Sequence, residues 1–247
     1  MKNVLSMFCA VSIGLVSHVT LAADQTQWGY SGEIGPDHWG TLAPDFTTCA
    51  KGVNQSPINL TGMVKGDLPK LNIQYQAGGT QVLNNGHSIE VVYGEGSHIN
   101  VQNEQFDLKQ LHFHAPSENT IEGESFPMEV HFVNADKAGH LAVVGVMFKE
   151  GAYNPELEKI WNDMPKKAGQ EKALSTAVNI NKLLPKQDKY YRFNGSLTTP
   201  PCTEGVQWFV MKEPITASKA QIKQFSQLFP QGNNRPVQSV NARMIIQ

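Results

Sequence analysis

Three histidines lie in two stretches whose alternating apolar and polar residues are typical of β-strands. His112 and His114 stand in the sequence LHFH, and His131 stands in PMEVHFV. In a strand, residues two apart point to the same face, so the two histidines of LHFH share one face while Leu111 and Phe113 take the other. If the two strands are neighbours, the three imidazoles converge on one point.

Such a group of imidazoles is suited to a divalent metal ion. Three histidines with a fourth position left open are the pattern of catalytic rather than structural zinc. Neutral imidazoles without a nearby thiol favour zinc, although cobalt and copper also fit this donor set. The alternative for a pair of strand histidines is an ordinary surface or core position, and the presence of His131 in a second strand weakens that alternative.

Two polar residues stand where they could orient these ligands. Gln110 lies two residues before His112, and Glu129 lies two residues before His131, so each shares a face with a histidine. Metal-bound histidines usually donate their second ring N–H to a carboxylate or carbonyl group, which fixes the tautomer and orientation of the ring. The alternative is that both are solvent-facing strand residues.

The rest of the chain predicts a single β-dominated α+β domain that could hold these strands. Period-two alternation or β-branched residues mark several stretches as strands. They are residues 71–76, 88–93, 106–114, 128–133, 141–148, 190–193 and 206–211. Short helices are predicted after Asn154-Pro155 and after Ser218, where Gln221 completes a capping-box pattern. The arm that contains WGYSG is expected to pack on the surface of the sheet.

Residues 1–22 are predicted to be a secretory signal peptide, which leaves residues 23–247 as the mature domain. Lys2 precedes a largely apolar stretch from Val4 to Val16, and small residues precede the expected cleavage site after Ala22. A membrane anchor needs about 20 uninterrupted apolar residues, and His18 interrupts this run. We therefore expect a periplasmic or secreted protein with no membrane attachment after cleavage.

Cysteine usage and charge agree with this prediction. The mature chain retains Cys49 and Cys202, and an even pair in an oxidising compartment is most simply one disulfide; two unlinked thiols are the alternative. The formal net charge is −2, and the basic residues are scattered along the chain. This distribution argues against a nucleic acid or an anionic membrane as a partner.

Further stretches accompany the histidine-bearing strands along nearly the whole mature chain. They are WGYSG with HWG, NQSPINL, NNGHS, LAVVGVMF, YYRFNGSLTTPPCTEGVQWFV and NNRPVQSVNAR. Together with QLHFHAPSEN and MEVHFV, they resemble the α-class carbonic anhydrases in their bacterial secreted form. The resemblance implies a large, twisted, mostly antiparallel sheet with short peripheral helices. It also implies a zinc-dependent lyase that reversibly hydrates carbon dioxide to bicarbonate and a proton, and it is compatible with a homodimer.

The resemblance also implies roles for individual side chains. Carried over position by position, it makes His112, His114 and His131 the ligands of Zn²⁺, with Gln110 and Glu129 as their hydrogen-bond partners. Thr198 and Glu118 would orient the hydroxide, and His87 would be the proton shuttle. The lining comprises the apolar wall of Val133, Val143, Leu197 and Trp208, the polar Thr199, and Tyr30 in a water network. In this scheme hydroxide on zinc attacks carbon dioxide, and the shuttle carries a proton away. Ser56-Pro57 and Pro200-Pro201 would be cis.

Some positions outside this scheme also carry expectations. Glu90 follows NNGHS at a position that is often neutral in relatives, and we expect its carboxylate to raise the pKa of His87 or reorganise water in the cleft. Asn241 and Arg243 are expected to support the site from beneath.

Two other functions are open to a chain with these residues. A binding module on the same fold would usually lack one or more of the ligand histidines, which this chain keeps. A zinc hydrolase acting on esters would need a general acid for the leaving group, and no residue is identified for that role.

Overall fold

The computed structural model describes residues 26–247 of the 247-residue chain. The predicted signal peptide therefore lies outside the described residues. Within the described part, none of the helices combines the length and the apolar character that crossing a membrane requires.

One eleven-stranded mixed sheet forms the centre of the described part of the chain, and a separate sheet has two short strands. The strands are β1 Asn59–Leu60, β2 Asn72–Gln74, β3 Gln81–Asn84, β4 Ile89–Val92, β5 His98–Val101, β6 Glu104–His114, β7 Thr120–Ile121, β8 Met128–Ala135, β9 Leu141–Glu150, β10 Gln170–Ala173, β11 Tyr190–Ser196, β12 Glu204–Met211 and β13 Ile215–Ala217. The helices are α1 Trp39–Leu42, α2 Thr48–Lys51, α3 Pro155–Asp163 and α4 Lys219–Ser226, with 3-10 turns at Gly32–Ile34, Pro44–Phe46 and Ile180–Leu183.

The strand order across the large sheet is β10-β3-β4-β6-β8-β9-β12-β11, while β5 also pairs with β6 and β13 with β9. Neighbouring strands of this sheet are antiparallel, with two exceptions: the pair of β12 with β9 and the pair of β13 with β9 are parallel. This arrangement confirms the predicted β-dominated domain with few short helices. The shorter strands β3, β5, β10 and β13 were not predicted from the alternation of residues.

The central strands bury a different apolar layer on each face. Phe113 of β6 is fully buried and packs against Trp161 of α3 and Phe225 of α4, with ring centroids 4.9 and 6.0 Å apart. On the other face, Val143 and Trp208 belong to a second apolar cluster. The helices therefore cover one face of the sheet and leave the histidine-bearing face free to form a site.

Both predicted helix starts are present. The Asn154 side chain accepts hydrogen bonds from the backbone N–H groups of Glu156 and Leu157, which satisfies two donors at the start of α3. Ser218 and Gln221 form the reciprocal capping box of α4. These local bonds fix where the helices begin, so the helices can pack on the sheet at a defined position.

The N-terminal arm packs differently from the prediction. Trp28 and Tyr30 form an aromatic cluster with Trp39 beside the disulfide, rather than lying on the surface of the sheet. Their rings meet edge to face, with the Trp28 centroid 5.2 Å from Trp39 and 5.6 Å from Tyr30. Such edge-to-face contacts between large rings stabilise a small independent cluster.

A disulfide joins Cys49 of α2 to Cys202, with a sulfur–sulfur distance of 2.06 Å. The predicted pairing is confirmed, and the alternative of two free thiols is wrong. The peptide bonds at Ser56-Pro57 and Pro200-Pro201 are cis, as expected, and Ala115-Pro116 is cis as well.

Candidate metal centre

The three histidines come together because β6 and β8 are antiparallel neighbours. Their register places His112 opposite His131, and His114 opposite Glu129, so all four side chains share one face of the sheet. One ring nitrogen from each histidine lies within 4.8 Å of the other two. The structure thus brings the predicted ligands to one point.

Hydrogen bonds determine which ring nitrogens face that point. The Nδ1 atom of His112 lies 2.7 Å from Gln110 Oε1, and the Nδ1 atom of His114 lies 2.6 Å from the Asn233 carbonyl oxygen. Because these oxygens accept hydrogen bonds, each ring holds its proton on Nδ1 and offers the lone pair of Nε2. His114 Nε2 has no hydrogen-bond partner among residues 26–247.

His131 has the opposite orientation. Its Nε2 atom lies 3.0 Å from Glu129 Oε1, a close contact that does not meet the geometry of a hydrogen bond, and Nδ1 is left towards the other histidines. The carboxylate itself is held firmly. Glu129 accepts hydrogen bonds of 2.9 Å from the backbone N–H groups of Glu118 and Asn119, and one of 2.8 Å from the Asn119 side chain.

The three imidazoles are neutral near pH 7. Burial lowers the pKa of His114 to about 4, although the hydrogen bond to Asn233 and the charge of Glu129 act in the opposite direction. Burial and then repulsion from the neighbouring histidines lower the pKa values of His112 and His131 well below their usual range. A neutral imidazole is the form that binds a metal ion, so the donor set fits a divalent metal.

A second buried carboxyl group lies beside the histidines. Glu118 is 1% exposed, and its Oε2 atom lies 3.4 Å from His114 Nε2. Burial raises its pKa well above the usual range, while a 2.8 Å hydrogen bond from the Arg235 backbone N–H and an interaction with the Thr198 side chain lower it. The Thr198 side chain is near enough to lower this pKa, but it makes no hydrogen bond to Glu118 Oε2. That oxygen has no hydrogen-bond partner among the described residues.

An apolar wall stands next to the histidines. The Trp208 ring lies 4.9 Å from the His131 ring, edge to face, and its indole N–H donates to the Ser196 carbonyl at 3.0 Å. Val133 and Leu197 pack against the same cluster as Val143 and Trp208. Thr199 is half-buried, and its carbonyl accepts a 2.8 Å hydrogen bond from the Cys202 backbone N–H. A small apolar molecule could therefore rest beside the metal site.

His87 lies in the turn between β3 and β4, outside the histidine cluster. Its ring stacks on Trp28, with centroids 3.6 Å apart and planes 8° from parallel. Burial lowers the pKa of His87. Of the two effects expected of Glu90, the raised pKa of His87 is therefore wrong, because the Glu90 carboxyl group is not among the causes of this shift; the effect on water in the cleft stays a prediction. The pKa of Glu90 itself is raised by burial, although a hydrogen bond from Asn85 acts in the opposite direction.

Tyr30 lies near both His87 and the buried Glu118. Its ring centroid is 6.4 Å from that of His87. Burial and the nearby Glu118 carboxylate raise the pKa of Tyr30 well above its usual range, and its hydroxyl group has no protein partner among residues 26–247. The hydroxyl therefore stays protonated and can donate a hydrogen bond into the cleft.

The residues that support the site are not those expected from the C-terminal stretch. Asn241 bonds the Val53 carbonyl at 2.7 Å, and Arg243 bonds surface carbonyls, so neither contacts the centre. Asn233 and Arg235 of the same stretch, NNRPVQSVNAR, reach the centre instead. The Arg235 guanidinium is buried and donates to the Cys49 carbonyl at 2.8 Å, which ties the disulfide-bearing segment to the site.

Comparisons with known proteins agree with this geometry. The family model for eukaryotic-type carbonic anhydrase matches residues 34–247. A carbonic anhydrase of Pectobacterium carotovorum is 46% identical over 246 residues and covers 100% of both chains. One from Neisseria gonorrhoeae is 47% identical over 225 residues, or 91% of this chain and 89% of that protein. The α-carbonic anhydrase of Thermovibrio ammonificans, solved with the inhibitor sulfanilamide, is 48% identical with a TM-score of 0.88, covering 90% of this chain and 99% of that one. This chain therefore belongs to the eukaryotic-type carbonic anhydrase family of lyases, which hydrate carbon dioxide.

Proposed function

We propose that His112, His114 and His131 bind Zn²⁺ and that this chain uses the ion to hydrate carbon dioxide reversibly, with His87 as the proton shuttle. The observation that carries the proposal is the buried group of neutral imidazoles, whose free ring nitrogens face one another beside an apolar wall. When bound, zinc supplies a hydroxide nucleophile at neutral pH by lowering the pKa of water to about 7, a shift for which carbonic anhydrases are themselves the reference case.

The ligand set suits this chemistry because it carries no charge. Ligating carboxylates would neutralise part of the positive charge that stabilises hydroxide, whereas neutral imidazoles leave it in place. Gln110, the Asn233 carbonyl and Glu129 each hold one ring nitrogen of a ligand, which fixes the direction of the other.

Thr198 and Glu118 are proposed to orient the nucleophile. A threonine hydroxyl that donates its proton to a carboxylate can only accept from a neighbouring O–H group. A nucleophile that donates to Thr198 must turn its remaining lone pair elsewhere. The apolar wall of Val133, Val143, Leu197 and Trp208 is the place where we expect carbon dioxide to rest and receive that lone pair.

His87 is proposed to take the proton that must leave before the next cycle. The ordinary imidazole pKa of about 6.5 is close to that of a donor with a pKa near 7. Burial lowers the pKa of His87, so its ring is neutral at neutral pH and free to accept the proton. The stacked position over Trp28 places the His87 ring at the rim, half-buried, where it can exchange protons with solvent.

The direct test is the stopped-flow rate of carbon dioxide hydration by the disulfide-intact protein, before zinc removal, after removal and after re-addition. We expect fast hydration that disappears with zinc and returns with it. Slow or zinc-independent hydration would instead favour a binding module on the same fold. Faster turnover of an activated aryl ester than of carbon dioxide would favour the hydrolase.

Replacing Trp28 with alanine is expected to shift the acid limb of the kcat profile to higher pH. Loss of the stacked ring exposes His87, so its lowered pKa should rise towards the ordinary value of about 6.5. At pH 6 a larger fraction of the imidazole is then already protonated and cannot accept a proton, whereas at pH 8 it is neutral in both proteins. The ring titration of His87 by NMR and kcat at both pH values would measure this.

Trp28→Phe is the matched control, because it keeps an aromatic ring against His87. We expect it to retain most of the lowered pKa. An unchanged His87 titration in Trp28→Ala would mean that another part of the cleft causes the shift.

Reduction of the disulfide is expected to lower hydration activity before the domain unfolds. Cys202 directly follows the segment Thr198–Pro201, and its partner Cys49 is tied through its carbonyl to buried Arg235. Breaking the bond loosens the segment that carries Thr198, while the sheet and its core stay intact. Activity and circular dichroism followed in parallel under reductant would measure this, and simultaneous loss of both signals would contradict it.

We also propose that residues 1–22 are a cleaved signal peptide and that residues 23–247 act in the periplasm or outside the cell. The disulfide supports this location because such bonds persist in oxidising compartments. Mass spectrometry of the protein from the periplasmic and cytoplasmic fractions would test it: a mature chain that begins at Ala23 is expected in the former.

A further inference from the structure

Asn233 is completely buried, and both polar atoms of its side chain are hydrogen-bonded. The amide nitrogen donates to the His87 carbonyl at 3.0 Å and to the Phe113 carbonyl at 2.8 Å. The amide oxygen accepts from the Ala115 backbone N–H at 2.8 Å. An amide has two N–H donors and one oxygen, so each group is paired.

These bonds hold the end of β6 on both sides of a proposed zinc ligand. Phe113 and Ala115 flank His114, and the backbone carbonyl of Asn233 itself accepts from His114 Nδ1 at 2.6 Å. Together with a 3.4 Å bond from the Asn233 backbone N–H to the Ala115 carbonyl, the side chain therefore sets the distance between residue 233 and the strand. This distance determines where the Asn233 carbonyl meets the His114 imidazole.

The same side chain also fixes the main chain of His87. The backbone N–H of His87 donates to Asn85 Oδ1 at 2.9 Å, a bond within the turn itself. Its carbonyl is held by Asn233, which is 146 residues distant in sequence. The turn bond sets the local shape, whereas the Asn233 bond ties the His87 carbonyl to the end of β6. The adjacent Ser88 hydroxyl also joins the turn to β6, because it bonds the backbone N–H and carbonyl of Phe113.

We propose that the Asn233 side chain is a positioning residue that couples the metal ligand His114 to the shuttle His87. The inference rests on the proposed zinc site and shuttle. One amide group bonds both the strand that presents the ligand and the turn that presents the shuttle. Displacement of either element therefore strains the bonds to the other.

Asn233→Asp is the most informative variant because it keeps the shape and the oxygen that accepts from Ala115. It replaces the amide nitrogen by an oxygen, so at most one of the bonds to the His87 and Phe113 carbonyls survives, as the O–H of a protonated carboxyl group. It leaves the backbone carbonyl that His114 needs. We expect zinc release to a chelator to become about tenfold faster, the lower end of the effect of ligand-orienting groups. We also expect kcat in weak buffer to fall about tenfold, with recovery when imidazole is added as a diffusible proton carrier.

Asn134→Asp provides a matched control. Asn134 is also completely buried, and its amide nitrogen donates to the Phe132 and Ala142 carbonyls at 2.9 and 3.2 Å, on the other side of β8 from His131. It should lower thermal stability in the same way without altering zinc release or the buffer dependence of kcat. If Asn233→Asp behaves like Asn134→Asp, the coupling is overturned.

A double variant separates the two arms of the coupling. In a His87→Ala background, Asn233→Asp should no longer lower kcat, because the shuttle is already gone, yet it should still accelerate zinc release. An equal further loss of kcat in that background overturns the assignment. The wild-type rate reports on the proposed function separately: fast, zinc-dependent hydration beside an unaltered Asn233→Asp variant overturns the coupling alone.

A measurement on the wild-type protein covers the case in which Asn233→Asp does not fold. Zinc binding should slow hydrogen exchange at the Ala115 amide and also at the amides of His87 and Ser88, which bond Asn85 in the turn. Protection at Ala115 without protection at His87 and Ser88 overturns the coupling, whereas protection at both supports it.

Discussion

His114→Ala is expected to reduce zinc affinity by about 10²–10³-fold and to remove nearly all hydration activity at limiting zinc. Zinc sites of four ligands bind with about 10–16 kcal/mol, so the loss of one ligand costs about 3–4 kcal/mol. His114 is 1% exposed, its Nε2 atom has no hydrogen-bond partner in the described part of the chain, and its Nδ1 atom is held by the Asn233 carbonyl. Removing it leaves two ligands and an unpaired carbonyl.

Zinc content after dialysis against a metal buffer, together with stopped-flow hydration at several zinc concentrations, would measure this effect. His140→Ala is the control: His140 pairs with Asp136 at 2.7 Å, but its side chain is 72% exposed and lies in a surface turn. We expect that variant to keep wild-type zinc content and activity. Full zinc occupancy and activity in His114→Ala would show that the ion binds elsewhere.

The parts of the site that lie on neighbouring strands were predictable because period two fixes which side chains share a face. LHFH and MEVHFV place their histidines by this rule alone, and the register of β6 against β8 then brings the two sets together. The helix starts at Asn154 and Ser218 were predictable for a similar reason, since capping depends on residues two or three apart.

Short and polar strands were missed because the feature that creates them is not local. All residues of β10, with the sequence QEKA, are exposed, so the strand carries no alternation; it forms because β3 offers a free edge. Asn233 and Arg235 were missed for the same reason: their partners lie 117 to 186 residues away, and the chain itself does not show which of two similar Asn-Arg stretches turns inward.

The lowered pKa of His87 shows a further limit of reading charges along a sequence. Glu90 is only three residues away, and a carboxylate at that separation suggested a raised pKa. The structure instead places the imidazole against Trp28, a residue from a distant arm, and the pKa is lowered by burial, with no contribution from the neighbour in sequence among the causes. The direction of a shift depends on what surrounds the ring in space.

Thr198→Ala is expected to lower kcat/KM for hydration by about 10²-fold, the usual scale for a positioned hydrogen-bonding group. The Thr198 hydroxyl interacts with Glu118, and Glu118 is held from the other side by the Arg235 backbone N–H at 2.8 Å. Without the hydroxyl, the nucleophile loses the acceptor that fixes its direction. Thr198→Ser is the matched control, because it keeps the hydroxyl and should retain most of the activity.

Glu118→Gln tests the direction of the same hydrogen bonds. The Arg235 N–H requires an acceptor, so it should hold the amide oxygen of the glutamine and turn the NH₂ group towards Thr198. The Thr198 oxygen would then accept a hydrogen bond from the amide, and the Thr198 hydroxyl proton would no longer be directed to residue 118. That proton could be donated to the nucleophile, whose orientation would no longer be fixed. We expect a loss similar to that of Thr198→Ala, and the double variant should be little worse than either single one, because both changes disrupt one unit. Stopped-flow measurements of kcat/KM on the three variants at equal zinc content would decide this: losses that multiply in the double variant would mean that Thr198 and Glu118 act independently.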